Sequence, residues 1–187
     1  MILFTFLLPL SKKPLITMFM SREEQQELKQ KSYAEAMRYM ENAKETLQKA
    51  VKEDDYYLDK KYVRTACGTA YNGVLIALDT YLTLKDVEMP KKKRRSIEFY
   101  TKNIAKIDGK MLNYLDVVYN VLHLSGYYDG ILDAIVIKRG FDVAYQVIDK
   151  IKPQPDLYVS VWAYTLPVAI INRTDKIFFF ILFFFNF

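Results

Sequence analysis

A helical stretch rich in small residues, residues 65–82, constrains this chain more than any other feature of its sequence. It reads TACGTAYNGVLIALDTYL and carries no charge from Thr65 to Leu78. Its apolar residues recur at helical spacing, and the small residues on one side would let a second helix approach closely. Two glycines inside a helix cost about 1 kcal/mol each relative to alanine, so close packing must compensate. The stretch therefore predicts the central helix of a helical bundle.

Composition narrows the classes of protein that this chain can belong to. Its 187 residues, 51% of them hydrophobic, suffice for one domain with a substantial core. The single cysteine, Cys67, excludes an intramolecular disulfide and a cysteine-based zinc site. The small apolar neighbours of Cys67 favour a buried structural thiol over a nucleophile. The net charge of +5 permits a polyanionic partner without requiring one.

The amino-terminal residues 1–19 differ in character from the rest of the chain. They open with an apolar run that is broken at Pro9, and their basic residues follow this run, whereas a secretory signal has them before it. Met20 is followed at once by Ser-Arg-Glu-Glu, which is a fresh start for a helical domain. We interpret residues 1–19 as an atypical extension, with translation beginning at Met18 or Met20 as the alternative.

The carboxy-terminal residues 154–187 are apolar and end in IFFFILFFFNF. This final run is too short to cross a bilayer, which takes about 20 residues. We interpret the tail as out-of-frame or otherwise atypical sequence, with a tail anchor or a re-entrant hairpin as the alternative. The predicted domain is therefore 20–153.

Hydrophobic spacing within this domain predicts an all-α, up-and-down bundle of five or six helices. Ser21 and Glu24 have the form of a capping box, Pro90 is a natural first-turn residue, and Gly126 is a good C-cap. The apolar run 131–137 could form a buried strand, but it is assigned to a helix because no second strand is evident to pair with it. The predicted helices are about 21–52, 58–84, 90–107, 110–125, 131–137 and 139–151.

Three segments carry a resemblance to a known group of domains. A helix striped with tyrosine, alanine and methionine covers 32–50, an alanine- and glycine-rich helix covers 62–81, and 123–130 read HLSGYYDG. This pattern resembles the bacterial HEPN-like small helical domains, and it looks like a small uncharacterised bacterial family of DUF type over residues 20–152. The resemblance implies an HEPN-like bundle.

One departure from the HEPN pattern bears on activity. HEPN ribonucleases carry an arginine followed four to six residues later by a histidine, whereas the nearest arginine before His123 is Arg95. The nuclease motif is therefore absent. The resemblance then implies a non-catalytic bundle that binds partner proteins, nucleotidyltransferases or RNA.

A run of five consecutive basic residues is the strongest charge signal in the chain. Such a run can contact phosphates and release counterions, or it can simply be a solvated helix start. Positive charges at a helix amino terminus oppose the macrodipole by about 0.3–1 kcal/mol each, so a helix start would need some compensation. The run comprises Lys91, Lys92, Lys93, Arg94 and Arg95.

A polar strip on the fourth predicted helix holds the only histidine of the chain. As a general base, His123 could be oriented by Asp116, but seven residues separate the two by about 10 Å along a helix. A boundary histidine that hydrogen-bonds a neighbouring helix is the favoured interpretation, with the Tyr-Tyr-Asp that follows fixing a turn. The strip comprises Asp116, Asn120 and His123, followed by Tyr127, Tyr128 and Asp129.

These observations predict a cytoplasmic, non-enzymatic binding module that acts as a homodimer or with a protein partner. No catalytic residue, cofactor or metal is predicted, because the sequence lacks a phosphate-binding loop and a Glu-x-x-His pair. The alternative is an RNA-binding or RNA-processing protein that uses the basic run 91–95. A membrane-tethered bundle is a third hypothesis, which requires the tail 154–187 to be genuine.

Overall fold

A computed structural model describes residues 20–90 and 95–154, which form a bundle of helices with one small hairpin. The predicted all-α bundle is confirmed. The extension 1–19, residues 91–94 and the tail from residue 155 onward lie outside the described residues. The elements are α1 (Arg22–Gln48), β1 (Lys52–Glu53), β2 (Tyr56–Tyr57), α2 (Lys60–Leu84), α3 (Ile97–Ile104), α4 (Gly109–Val118), a π-helix (Tyr119–Asp129), α5 (Ala134–Ile148) and a 3₁₀ turn (Asp149–Ile151).

Helix α1 begins with the predicted capping box. The Ser21 hydroxyl accepts the Glu24 N–H at 3.1 Å, and the Ser21 N–H donates to the Glu24 carboxylate at 2.7 Å. The helix ends at Gln48, several residues before the predicted end near 52, because the chain turns into the β1–β2 hairpin. Asp54, at the turn of this hairpin, has a positive φ of 49°.

The central position predicted for α2 is confirmed. Twelve of its residues are buried, and α1 packs along it closely. A Cβ at Gly73 would lie 3.0 Å from the Ala36 carbonyl oxygen and 3.1 Å from Cβ of Tyr39, so the absent side chain lets the two backbones meet. Cys67 is fully buried on α2, as predicted.

Helix α3 starts later than its sequence predicts. Ser96 is its N-cap and Ile97 its first residue, so the prediction that Pro90 begins this helix is wrong. The buried residues of α3 are Tyr100 and Ile104.

Helix α4 continues directly into the π-helix, in which each N–H bonds the carbonyl five residues earlier. The prediction that Gly126 ends this helix is wrong. Gly126 is buried inside the π-helix, and a Cβ there would lie 2.5 Å from Sγ and 2.7 Å from Cβ of Cys67. The cap is Gly130, whose φ of 66° is left-handed and whose N–H donates to the Ser125 carbonyl.

Helix α5 is one helix, although the sequence predicts two shorter ones. It begins at Ala134, with Asp133 as its N-cap. The residues before it are extended because the hairpin binds them: Tyr57 N–H donates to Leu132 O, and Ala134 N–H donates to Asp55 O, both at 2.8 Å. None of the helices within 20–90 and 95–154 is both long and apolar enough to cross a membrane.

Asp108 connects three elements at one end of the bundle. As N-cap of α4, its carboxylate accepts the Met111 N–H at 3.0 Å. The other carboxylate oxygen accepts from Lys150 Nζ at 3.2 Å and from the Tyr81 hydroxyl at 3.3 Å. The Met111 N–H, followed by the Lys150 ammonium, holds the pKa of Asp108 below its ordinary value.

We expect Gly126→Ala to lower the free energy of unfolding by about 3 kcal/mol, because the added methyl meets the Cβ of Cys67, which cannot move without its helix. Gly109→Ala is the matched control, since a Cβ at Gly109 has nothing within 4 Å. It should leave stability unchanged or raise it by about 0.5 kcal/mol. Urea unfolding measures both, and equal effects of the two substitutions would contradict the observed packing.

We expect Asp108→Asn to flatten the acid side of the stability profile. A carboxylate whose folded pKa is lowered contributes stability above its unfolded pKa, near 3.8, and loses it as the pH falls through the folded pKa. Asparagine still caps the helix but does not titrate. The difference in the free energy of unfolding between wild type and variant should shrink as the pH falls. Urea unfolding from pH 6 to pH 2 measures it. A constant difference would show that the carboxylate charge is not involved.

Candidate functional site

His123 lies among four tyrosine rings, which together we call the aromatic cluster. Its ring stacks on that of Tyr71 from α2, with centroids 4.5 Å apart and planes at 26°. The Tyr119 ring lies 5.2 Å from it at 30°, and the Tyr127 ring lies 6.1 Å from it at 14°. Tyr128 meets the imidazole edge-on at 5.0 Å. Aromatic pairs at such separations contribute about 0.5–1.5 kcal/mol beyond the area they bury.

The π-helix is what brings these rings to one side. Residues nine apart are two and a half turns apart in an α-helix of about 3.6 residues per turn, so Tyr119 and Tyr128 would lie on opposite sides. A π-helix has more than four residues per turn, so residues four and five apart lie on one face. Tyr119, His123 and Tyr128 follow this spacing and all reach the same cluster.

A pocket of about 350 Å³ opens beside the cluster, between α2 and the π-helix. It combines aromatic faces with hydroxyl and amide groups, which is typical of sites that hold small molecules. Tyr127 and Tyr128 keep 45% and 56% of their surface exposed there, whereas Tyr71 keeps 6%. The lining residues are Thr65, Gly68, Thr69, Tyr71, Asn72, His123, Tyr127 and Tyr128.

Gly68 shapes the floor of this pocket. A Cβ at that position would lie 2.9 Å from the Tyr127 ring, so the ring lies directly against the backbone of α2. The hydroxyl of Thr69 donates to the Thr65 carbonyl at 2.8 Å, which holds its side chain along the helix. The hydroxyl oxygens of Thr65 and Thr69 keep lone pairs that can accept further hydrogen bonds.

Arg64 joins α2 to the end of the π-helix. Its Nε–H donates to the Tyr127 carbonyl at 2.9 Å, and its Nη2 donates to the Tyr128 carbonyl. These carbonyls belong to the last turn of a helix, where a cation is favourable and partners within the helix are lacking. The guanidinium therefore holds the backbone of the two exposed tyrosines of the pocket.

Chemically reactive groups near the cluster are restrained by their surroundings. Burial raises the pKa of the Cys67 thiol to about 12, so it is protonated and a poor nucleophile at neutral pH. Within 20–90 and 95–154, no group of three or more His, Cys, Asp or Glu side chains could hold a metal ion. The groups that do line the pocket offer aromatic faces for stacking and hydroxyl and amide groups for hydrogen bonds.

The polar strip predicted from sequence divides into two parts. Asp116 and Asn120 are exposed and bond each other, with Asn120 Nδ2 donating to the Asp116 carboxylate at 3.0 Å. His123, Tyr127 and Tyr128 turn to α2 and enter the aromatic cluster, while Asp129 is exposed at the end of the π-helix.

Sequence patterns do not single out three residues of the site: Tyr71, Tyr119 and Arg64. The sequence pattern places Tyr71 within a buried helix, Tyr119 near His123 on the same helix, and Arg64 among solvated charges. Only Tyr119 has a signal in the sequence, which is the four-residue spacing that it shares with His123 and Tyr127.

The basic run lies only partly within the described residues. Lys91, Lys92, Lys93 and Arg94 are outside them, and Arg95 is engaged: its Nη1 meets the Asp79 carboxylate at 2.5 Å. The other oxygen of Asp79 accepts the Tyr100 hydroxyl at 2.7 Å. Burial raises the pKa of Asp79, against the opposing effects of Tyr100 and Arg95. Arg95 therefore connects its segment to α2.

Comparison with solved structures gives a similar protein of about the same domain length. A protein of unknown function from Dyadobacter fermentans is 45% identical over 65% of this chain and 94% of its own, with a TM-score of 0.60. No curated protein matches the chain.

Comparison with known families gives a match over residues 31–153, to the family described as Domain of unknown function (DUF5618). This match spans more than half of the chain and nearly all of the predicted domain. The prediction of an uncharacterised all-helical family of DUF type is thereby confirmed, while the HEPN likeness stays a prediction. The chain belongs to the DUF5618 family.

Proposed function

We propose that this domain is a non-enzymatic binding module, and that its ligand site is the pocket beside the aromatic cluster. The observation that carries the proposal is the pair of exposed rings, Tyr127 and Tyr128, at the mouth of a pocket with a stacked His123–Tyr71 pair behind them. Exposed aromatic faces of this kind are typical of recognition surfaces, where they bury a large area at a low entropic cost.

Two further features support this function. The rings are held in advance: Gly68 brings α2 against the Tyr127 ring, and Arg64 fixes the carbonyls of both exposed tyrosines. A ligand that stacks there has less protein to order on binding, which favours affinity. The Cys67 thiol is buried with a raised pKa and does not line the pocket, so it offers the site no nucleophile.

Another pocket lies beside the hairpin and favours this function less. It is larger, about 490 Å³, but the charged ends and apolar side chains of α1 and the hairpin line it without a stacked aromatic group. Its lining residues are Lys44, Leu47, Gln48, Val51, Lys52 and Tyr57.

The proposal is tested with indole, an uncharged aromatic probe, on the full 187-residue chain by backbone NMR. We expect shifts confined to amides of 65–72 and 119–130, and we expect Tyr128→Ala to weaken binding at least fivefold, by loss of a stacking face worth about 1–3 kcal/mol. Tyr56→Ala is the matched control, since Tyr56 is 59% exposed but lies on the hairpin. Absence of shifts in these two segments would overturn the proposal.

The alternative of RNA binding through the basic run also stays open to test. Because Arg95 is paired with Asp79, only Lys91, Lys92, Lys93 and Arg94 would be neutralised to glutamine. If the run binds phosphates, the slope of log affinity for a poly-uridine strand against log salt should fall by about 0.7 for each phosphate that the variant no longer neutralises. An unchanged slope would exclude this alternative. The homodimer and the cytoplasmic location likewise stay predictions.

A further inference from the structure

The cations beside the pocket limit the charge of the ligands that it suits. We propose that the ligand is a planar aromatic molecule that carries an anionic group, with its ring against Tyr127 and Tyr128 and its charge at Arg64 and Lys61. This inference rests on the proposed function, because it adds a charge requirement to the same pocket.

Arg64 has hydrogen-bonding capacity left over from its structural role. A guanidinium has five N–H groups, and Arg64 uses Nε–H and one N–H of Nη2 on the carbonyls of Tyr127 and Tyr128. These two bonds do not use the end-on edge of the guanidinium, which is formed by the outer N–H groups of Nη1 and Nη2. Arg64 is an exposed residue, so a ligand can approach this edge. That edge matches the two oxygens of a carboxylate or a phosphate.

Lys61 adds a second charge on the same face of α2. The Thr65 hydroxyl donates to the Lys61 carbonyl at 3.0 Å, so the wall of the pocket begins four residues, about 6 Å along the helix, from Lys61. Lys61 is exposed, with its Nζ 5.6 Å from the centre of the Tyr62 ring. Residues 61, 65, 68 and 72 follow one another at spacings of three and four along the helix, so cation, hydroxyl, pocket floor and amide share one side.

Two carboxylates near these cations set a limit on the local positive potential. Asp59 is the N-cap of α2 and accepts the Lys61 N–H at 2.8 Å. Asp129 is exposed and follows Tyr128 directly. The three cations Lys60, Lys61 and Arg64 outnumber these two acids by one, which leaves a net positive charge beside the pocket.

A cationic ligand is the opposite possibility, because clustered aromatic faces attract ammonium groups. The position of Arg64 argues against it. Its guanidinium bonds the carbonyls of the two residues whose rings would enclose the cation, and two like charges at that range repel. An anionic aromatic ligand gains from both features, the rings and the guanidinium.

The test compares three probes that share the indole ring and differ in charge: indole-3-acetate, indole-3-ethanol and tryptamine. On the full chain at low salt, we expect indole-3-acetate to bind about fivefold more tightly than indole-3-ethanol, and tryptamine to bind most weakly. The advantage of the anion should shrink at 0.5 M salt, where charges are screened beyond about 4 Å.

Single substitutions at exposed charged residues locate the charge requirement. Lys61→Gln should lower the advantage of indole-3-acetate about twofold, and Asp129→Asn should raise it by a similar factor. Lys110→Gln is the matched control, because Lys110 is also exposed and its Nζ also lies 5.6 Å from a tyrosine ring, that of Tyr114. Arg64→Gln should reduce the advantage to about the twofold share that Lys61 supplies. If Arg64→Gln disorders the π-helix, the Lys61 and Asp129 variants decide the matter.

The outcomes separate this inference from the proposed function. Suppose that indole binds in the pocket, but that indole-3-acetate, indole-3-ethanol and tryptamine bind equally or tryptamine binds best. The charge requirement is then wrong, and the proposed binding function remains. If indole does not bind, both fail. A second pair, AMP and adenosine, distinguishes a phosphate from a carboxylate as the anionic group. If AMP exceeds adenosine in affinity by a larger factor than indole-3-acetate exceeds indole-3-ethanol, the site prefers a phosphate. A smaller factor indicates a carboxylate.

Discussion

Small residues on α2 and opposite it let two neighbouring helices come into backbone contact with this helix. At Gly73 the Ala36 carbonyl lies 3.0 Å from where a Cβ would be, and at Gly126 the Cys67 sulfur lies 2.5 Å from such a position. A methyl group at either place would push a whole helix away, since the atoms it meets are backbone or close to it. The position of α1 and of the π-helix, and with it the pocket, depends on these two contacts.

The stretch from Thr65 to Leu82 was sufficient to predict the bundle. Its uncharged run and its small residues favour a helix that other helices cover on several sides. Capping signals such as Ser21 with Glu24 are local, so they can be predicted without knowledge of the rest of the fold. The hairpin and the late start of α5 could not be predicted in this way. They depend on hydrogen bonds between Asp55 or Tyr57 and residues 132–134, some 75 positions further along the chain.

The site was predictable only in part, because its geometry depends on the helix type. An α-helical projection groups His123 with Asp116 and Asn120, and it separates Tyr119 from Tyr128 by half a turn. In the structure the wider π-turn reverses both relations. Helical periodicity in the sequence does not distinguish the two forms over eleven residues. Tertiary contacts hold the π-helix in place, among them the packing of Gly126 on Cys67 and the bonds from Arg64 to its last carbonyls.

Arg64 shows why the fold and the proposed ligand site cannot be considered separately. A π-helix is a rare form whose last turn leaves carbonyls without partners, and a neutral side chain would satisfy them without adding charge. Arginine satisfies two of them and also balances the negative end of the helix dipole. Because this cation caps the segment that carries Tyr127 and Tyr128, whatever stacks on those rings must accept a positive neighbour. The proposed selection of ligands by charge therefore rests on the same contact that stabilises the π-helix.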